Sequence, residues 1–298
     1  MSLVDAHHHV WCPESRDPDL GYGWLRDRGA RKPFGDPTPI QRDYLWPEYL
    51  REIDPPPAAS VHVQADAAAD PAGEVDWAAR TAHAAGHRVA VVGLADLAAP
   101  DLAVRLARLR ETPELRGVRQ IVARDPDRPA LSFAPRDLLA DPDWRRGLAV
   151  VAEAGLSFDL QLYAHQAGAA LAALGPHPGL AVVVDHALSP VDGPTPAWRA
   201  AVEALAARPG TAIKLSGWGM VDPRWTAETV APMVEAILRA FGPERTMWGS
   251  NVPVESLARP LAHVVRDTRA ALRLAGCDDA AERAVMADAA RRFYRLAA

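Results

Sequence analysis

Leu180-Ala181-Val182-Val183-Val184-Asp185, then Pro196 to Ala207, then Thr211-Ala212-Ile213-Lys214-Leu215 form the stretch that decides the fold. The first and last runs are short, apolar and rich in β-branched residues, as buried strands are. The middle run is helical in pattern, and Pro209-Gly210 stops it. Strand, helix and strand joined by such short connections imply two parallel strands. The same alternation extends in both directions. Strands are expected at 60–64, 88–94, 117–122, 156–162, 180–185, 211–215 and 245–249. Helices are expected at about 75–85, 101–110, 136–154, 166–174, 196–207, 227–241, 257–274 and 279–290. An apolar segment near the start, Leu3-Val4 to Val10-Trp11, supplies an eighth strand. Eight such units predict an α/β fold of the (β/α)8 TIM-barrel type. A doubly wound open sheet is the rival, and the absence of a Gly-rich phosphate loop after the first strand speaks against it. No linker divides the chain, so residues 1–298 are expected to form a single barrel domain.

Residues 12–58 break the pattern. They are rich in proline, glycine, aspartate and aromatics, as in Gly21-Tyr22-Gly23-Trp24, Tyr44-Leu45-Trp46-Pro47 and Pro55-Pro56-Pro57. A loop this long in a compact domain is usually functional or disordered. Its tryptophans and tyrosines point to an ordered segment covering one end of the barrel.

The first strand carries Asp5-Ala6-His7-His8-His9. Side chains alternate along a strand, so Asp5, His7 and His9 are expected on one face and Ala6 and His8 on the other. Paired imidazoles on a rigid strand suit a divalent metal or the polarisation of a carbonyl. Barrel active sites form at the C-terminal strand ends. Sorting polar residues by that rule gathers His7, His9, Gln64, Arg119, Gln161, Tyr163, His165, Asp185, His186, Lys214, Ser216, Ser250 and Asn251. Arg119 alternates with Val118 and Gln120, which suits an anion or carbonyl clamp inside the barrel. His62 is expected to be structural, as are His83 and His87, because Gly86 between that pair ends the helix.

The chain of 298 residues is 49% hydrophobic and 24% charged, with a net charge of -5. It is therefore expected to bury a sizeable core, and its net negative charge argues against nucleic acid as a main partner. No apolar stretch approaches the roughly 20 residues needed to span a membrane. No secretory pattern opens the sequence, and Cys12 and Cys277 have no metal spacing. A cytoplasmic location with free thiols is the default expectation.

Several segments resemble the amidohydrolase superfamily, specifically the "amidohydrolase 2" branch of sugar-acid lactonases and related lactone hydrolases. Asp5 to Trp11 is similar to its D-x-H-x-H-F-W opening, Val63-Gln64-Ala65 to its second-strand motif, and Arg116-Gly117-Val118-Arg119 to its R-G-[VI]-R segment. Leu156 to Leu160 with His165-Gln166, Val184-Asp185-His186 and Lys214-Leu215-Ser216-Gly217 follow in the family order. Met247 to Val254 resembles M-x-G-S-D-W-P-V, and Ala287 to Tyr294 resembles the N-A-x-R-F-Y ending. The resemblance spans nearly the whole chain and implies the same barrel. It implies lactone opening by water, at a carbonyl polarised by His7, His9 and His186. Those three would do so directly or as ligands of one divalent metal such as zinc, so the cofactor expectation is none or one ion. Gln64, Arg119, His165 and Trp24 are expected to bind the substrate, a small lactone or organic acid.

One position departs from the pattern. Asn251 stands where the family has an aspartate that serves as general base or last metal ligand. An amide only gives and receives hydrogen bonds, and general-base catalysis contributes about 10²–10⁴-fold in rate. His186, Asp185 or a carboxylate of the covering segment would have to replace it. Two alternatives follow: an impaired relative that binds a sugar acid or lactone without turnover, and a metal-dependent decarboxylase on the same barrel.

Overall fold

The protein is described from a computed structural model covering residues 3–17, 20–66 and 71–296. Eight strands form one parallel sheet in chain order: β1 (Val4–His8), β2 (Ala59–Val63), β3 (Val89–Leu94), β4 (Leu115–Ile121), β5 (Ser157–Gln161), β6 (Val182–Val184), β7 (Thr211–Leu215) and β8 (Thr246–Trp248). The sheet closes through the residues just past β8. Asn251 N–H donates to the His7 carbonyl at 2.7 Å, and His9 N–H donates to the Val252 carbonyl at 2.8 Å. The fold is thus the (β/α)8 barrel expected from alternation.

The helices in chain order are α1 (Gly23–Arg26), α2 (Trp46–Tyr49), α3 (Pro71–Ala84), α4 (Leu102–Leu109), α5 (Pro142–Glu153), α6 (Ala167–Leu174), α7 (Pro196–Ala207), α8 (Trp218–Val221), α9 (Ala227–Phe241), α10 (Leu261–Leu274), α11 (Asp279–Arg283) and α12 (Ala289–Phe293). Helix α5 starts six residues later than the expected 136, because Asp141 caps it through the Asp143 N–H and Pro142 occupies its first position. The freed residues Arg136 and Leu138 line a cavity instead. Helix α10 begins after Pro260. Helix α8 was not expected. No helix among the described residues is long and apolar enough to cross a membrane.

Strand alternation sorts the core into two parts. Val91, Val118, Phe158, Leu160, Val184 and Ile213 pack outward with the helices. Val4, Ala6, Val61, Val63, Ala90, Val92, Val183, Ala212 and Met247 cluster with Ala287, Ala290 and Tyr294 of the C-terminal segment. That segment plugs the barrel at the end where the strands begin, and leaves the opposite end for the site.

Residues 12–58 serve two purposes. Trp46 and Tyr49 of α2 are buried against the outer face of β1, where Tyr49 stacks on His8 with centroids 4.2 Å apart. The part around α1 reaches over the barrel mouth and presents Trp24, Arg31, Lys32, Pro33 and Phe34 to the cavity there.

Candidate active site

Strand β1 does not alternate simply. Its register against β2 shifts between Asp5 and His8, a bulge of the kind that re-aims side chains beside active sites. Asp5 therefore does not join His7 and His9 as expected. Its carboxylate accepts from the Tyr49 hydroxyl at 3.0 Å, the His7 N–H at 3.0 Å and the Ser250 N–H at 2.8 Å. Burial raises the Asp5 pKa to about 6, against the pull of these hydrogen bonds. Asp5 locks the bulge and the closing seam, and His7 and His9 turn into the barrel as a result.

Two glycines make room for the imidazoles. A Cβ on Gly249 would lie 2.6 Å from His7 Cβ. A Cβ on Gly217, whose φ is +67°, would lie 2.7 Å from His186 Nδ1. His186 itself opens a run of four left-handed residues, His186 to Ser189. Such non-glycine strain persists where surrounding structure over-determines it and clusters at functional sites. Asn251 is also left-handed, with φ of 57°, which asparagine tolerates better than most residues.

These elements bring His7, His9, Asp185 and His186 together. His7 and His186 have ring centroids 4.6 Å apart, and His7 and His9 5.1 Å. His9 Nδ1 lies 2.7 Å from the Val63 carbonyl, which only accepts, so that nitrogen carries the hydrogen and Nε2 keeps its lone pair. His186 Nδ1 meets the Ser216 hydroxyl at 2.9 Å. His7 Nδ1 sits 3.1 Å from the Lys214 ammonium and 3.4 Å from Asp185. Burial lowers the pKa of all three imidazoles, to about 4 for His186, and holds them neutral.

Below them lies a charge network with Lys214 at its centre. The buried ammonium pairs with Asp159 at 2.6 Å and Asp185 at 3.0 Å, and the Tyr294 hydroxyl donates to Asp159 at 2.7 Å. Burial raises the Asp159 pKa to about 6 despite Lys214. Burial also pushes Asp185 upward, but Lys214, His7 and His186 together outweigh it and hold the carboxyl well below its ordinary range. Arg119 reaches in from β4, donating to the Gln64 carbonyl at 2.6 Å and standing 3.9 Å from Asp185.

Above this floor opens a cavity of about 560 Å³, a size that suits a small molecule. His9, Gln64, Arg119, His186, Asn251 and Trp24 all line it. Trp24 is pinned by its indole N–H to the Ala65 carbonyl at 2.8 Å. His7 lies deeper and is fully buried. His165 is the exception among the expected residues. A 3-10 turn at Ala164–Gln166 leaves it exposed beside the Arg124 carbonyl, outside the cavity, while Gln166 turns inward to donate to the Val122 carbonyl at 2.8 Å. Among the described residues, the covering segment brings the cations Arg31 and Lys32 to the cavity and no carboxylate, and the lining acids are Asp66 and Asp96.

The donor set fits a divalent metal. His7, Asp185 and His186 each place a ligand atom within 4.8 Å of the others'. His7 Nε2 is buried without a hydrogen-bond partner, and Asp185 Oδ2 has only the Arg119 guanidinium near it, at 3.9 Å. Nitrogen and carboxylate donors of this kind suit zinc. This compact group takes Asp185 in place of His9, which stands at its edge.

The sequence profile of the amidohydrolase family matches residues 4–296. The chain belongs to the amidohydrolase family. This amidohydrolase is 31% identical over 264 residues to an L-fucono-1,5-lactonase of Burkholderia ambifaria, covering 86% of this chain and 81% of that one. It is 33% identical over 261 residues to an uncharacterized protein of Sinorhizobium fredii, covering 86% of each chain. A crystal structure of an amidohydrolase from Burkholderia multivorans with bound zinc shares 28% identity and superposes with a TM-score of 0.79 over 100% of both chains.

Sequence reasoning missed two buried carboxylates. Asp159 sits within a motif that was noticed, but only the fold shows that it faces Lys214. Glu255 follows the Met247–Val254 motif directly and is buried one turn beyond Asn251. An acidic residue so close to a missing aspartate was the available signal.

Proposed function

We propose that this amidohydrolase opens the lactone ring of a sugar acid by attack of water on the ring carbonyl. The observation that carries the reading is the convergence of His9, His186, Arg119, Gln64 and Asn251 on one cavity floor, with neutral imidazoles and an ionised Asp185 behind them. Relatives at 31% and 32% identity bearing the name L-fucono-1,5-lactonase support the substrate class. His7, His186 and Asp185 would hold one divalent ion, with His9 beside them. Such an ion polarises a carbonyl and acidifies water.

The chain's own residues divide the remaining work. The His9 imidazole, fixed by its bond to Val63, keeps Nε2 free to face the carbonyl group. Arg119, braced on the Gln64 carbonyl, directs its remaining N–H groups to a ring or carboxylate oxygen. The Trp24 face forms an apolar wall against which a sugar ring lies. Asn251 accepts a hydrogen bond from the attacking water and orients it. Asp185, ionised behind the imidazoles beside His7 and Lys214, would receive the proton of that water.

The test is hydrolysis of L-fucono-1,5-lactone and a panel of other sugar-acid lactones by purified protein, followed by acid release, with metal content measured alongside. Turnover that depends on zinc or manganese and is lost in His186→Asn is expected. Tight binding of the panel without ring opening would refute hydrolysis and favour the impaired-relative reading that Asn251 suggests.

A further inference from the structure

Asn251 forms part of the cavity wall with Met220 and Val254. Glu255 lies behind that wall. Its N–H donates to the Asn251 carbonyl at 2.9 Å, so the two side chains are one turn apart. Glu255 is fully buried, and its Oε1 accepts from the Gly219 N–H and the Trp225 indole N–H, each at 2.7 Å. Its Oε2 has no hydrogen-bond partner. A Cβ on Gly219 would lie 2.7 Å from Glu255 Oε1, so the glycine is needed for this approach. The charged group facing Glu255 is Arg259, whose guanidinium is held by Asp267 at 2.7 Å and lies over the Trp225 ring. Nothing in the proposed reaction uses this carboxylate.

The Asn251 amide nitrogen donates to Met220 Sδ, 3.1 Å away, and the amide neighbours the Glu255 carboxylate, which accepts and never donates and so favours the nitrogen on its side. The amide oxygen is then the atom offered to the cavity. A protonated Glu255 has a hydrogen to give, and the favourable partner becomes the amide oxygen. Building on the lactone-hydrolase reading, we infer that Glu255 is a positioning residue that sets which end of the Asn251 amide faces the substrate. Ionised Glu255 presents the oxygen, which orients the attacking water; protonated Glu255 presents the NH2 group. The carboxylate lost at position 251 is thereby regained one turn later, acting through the asparagine and not on the substrate.

Burial raises the Glu255 pKa to about 7, against hydrogen bonds from Gly219 and Trp225 and the charge of Arg259. The exchange therefore falls in an accessible pH range. Asn251 is the single asparagine of the sequence, so asparagine-selective 15N labelling of the full chain gives one side-chain NH2 signal. That signal is expected to shift with a midpoint near pH 7 and to stay flat in Glu255→Gln. A flat signal in the native chain, or the same titration in the variant, would overturn the inference. Trp225→Phe removes one donor to the carboxylate and keeps the ring. It should move the midpoint upward, and it provides the test if Glu255→Gln does not fold.

Turnover supplies an independent arm. Native kcat is expected to rise through pH 7, whereas Glu255→Gln loses that limb and about tenfold or more in kcat with KM nearly unchanged, as lost alignment alone can cause. Asn251→Asp should lower kcat with Glu255 in place, since two carboxylates then face each other, and Glu255→Gln in the same chain should restore it. No hydrolysis of any lactone, with the NH2 titration intact, would overturn the lactone-hydrolase reading and leave the Glu255–Asn251 coupling standing. Hydrolysis with a flat NH2 signal would do the reverse.

Discussion

Lys214→Met tests whether the barrel is held by the charge network beneath the histidines. The ammonium is fully buried, 2.6 Å from Asp159 and 3.0 Å from Asp185. At an effective dielectric near 20, each contact is worth about 6 kcal/mol of attraction, most of it offset by taking the charges out of water. Removing one partner leaves the others uncompensated, which typically costs about 3–5 kcal/mol. Methionine fills similar volume, so little of the loss should come from packing. The pH dependence isolates the electrostatic cause. Burial already raises Asp159 to about 6, and Lys214 is what restrains it from rising further. Without the ammonium, folded Asp159 keeps its proton above pH 6 while the unfolded chain does not. A raised carboxyl pKa contributes stability that is lost as pH rises toward the folded value. The variant should therefore lose about 2 kcal/mol more at pH 7.5 than at pH 6 or below, at about 1.36 kcal/mol per unit. Urea unfolding of both metal-free proteins at pH 5.5 and 7.5 reads this directly. Equal losses at the two pH values would refute the network as the source of stability. So would a Lys214→Met/Asp159→Asn double variant no more stable than Lys214→Met.

Two further outcomes follow from burial around β1. His7, His8, His9, His87 and His186 are all held neutral by burial, the last two with pKa values of about 4. Their stabilising contribution is present above pH 6.5 and is lost as pH falls toward the folded values. Asp5, Asp159 and Glu255 act in the opposite sense, so the metal-free protein should lose about 3 kcal/mol between pH 6 and pH 5; a urea midpoint that holds steady or rises over that interval would contradict it. Gly249→Ala places a methyl group 2.6 Å from His7 Cβ and should cost about 3 kcal/mol or more by overpacking. Gly276→Ala meets no atom within 4 Å but has φ of +83°, and should cost only about 1–2 kcal/mol. Thermal unfolding of the two variants side by side would expose an error if Gly276→Ala were the less stable.

How far the sequence could be read depended on whether a feature is local. The strands from β2 onward are short runs rich in apolar and β-branched residues, with polar residues facing inward in β4 and β5, and glycine or proline punctuates the chain between them. With β1 they make eight in one chain, which leaves little choice of architecture. The strand-end rule then placed His9, Gln64, Arg119, His186 and Asn251 at one cavity, because barrel geometry turns sequence position into depth. It failed where the backbone departs from ideal alternation. The bulge in β1 sends Asp5 outward, and it exists because Asp5 finds donors on Tyr49 and Ser250, residues far away in sequence. His165 was lost to a single 3-10 turn. Asp185 is ambiguous in the sequence for a related reason. After Val182-Val183-Val184 it reads as a residue facing either way, and only the arrival of Lys214, Arg119 and His7 around it makes an ionised carboxylate tolerable there. Asn251 shows the same limit from the other side. Read alone, it is a lost base. With Glu255 behind it, fully buried and with one oxygen unpartnered, it becomes one half of a pair. A carboxylate that serves the site through a neighbour leaves no motif, since the chemistry fixes only the atom facing the substrate and leaves the group behind it free to differ.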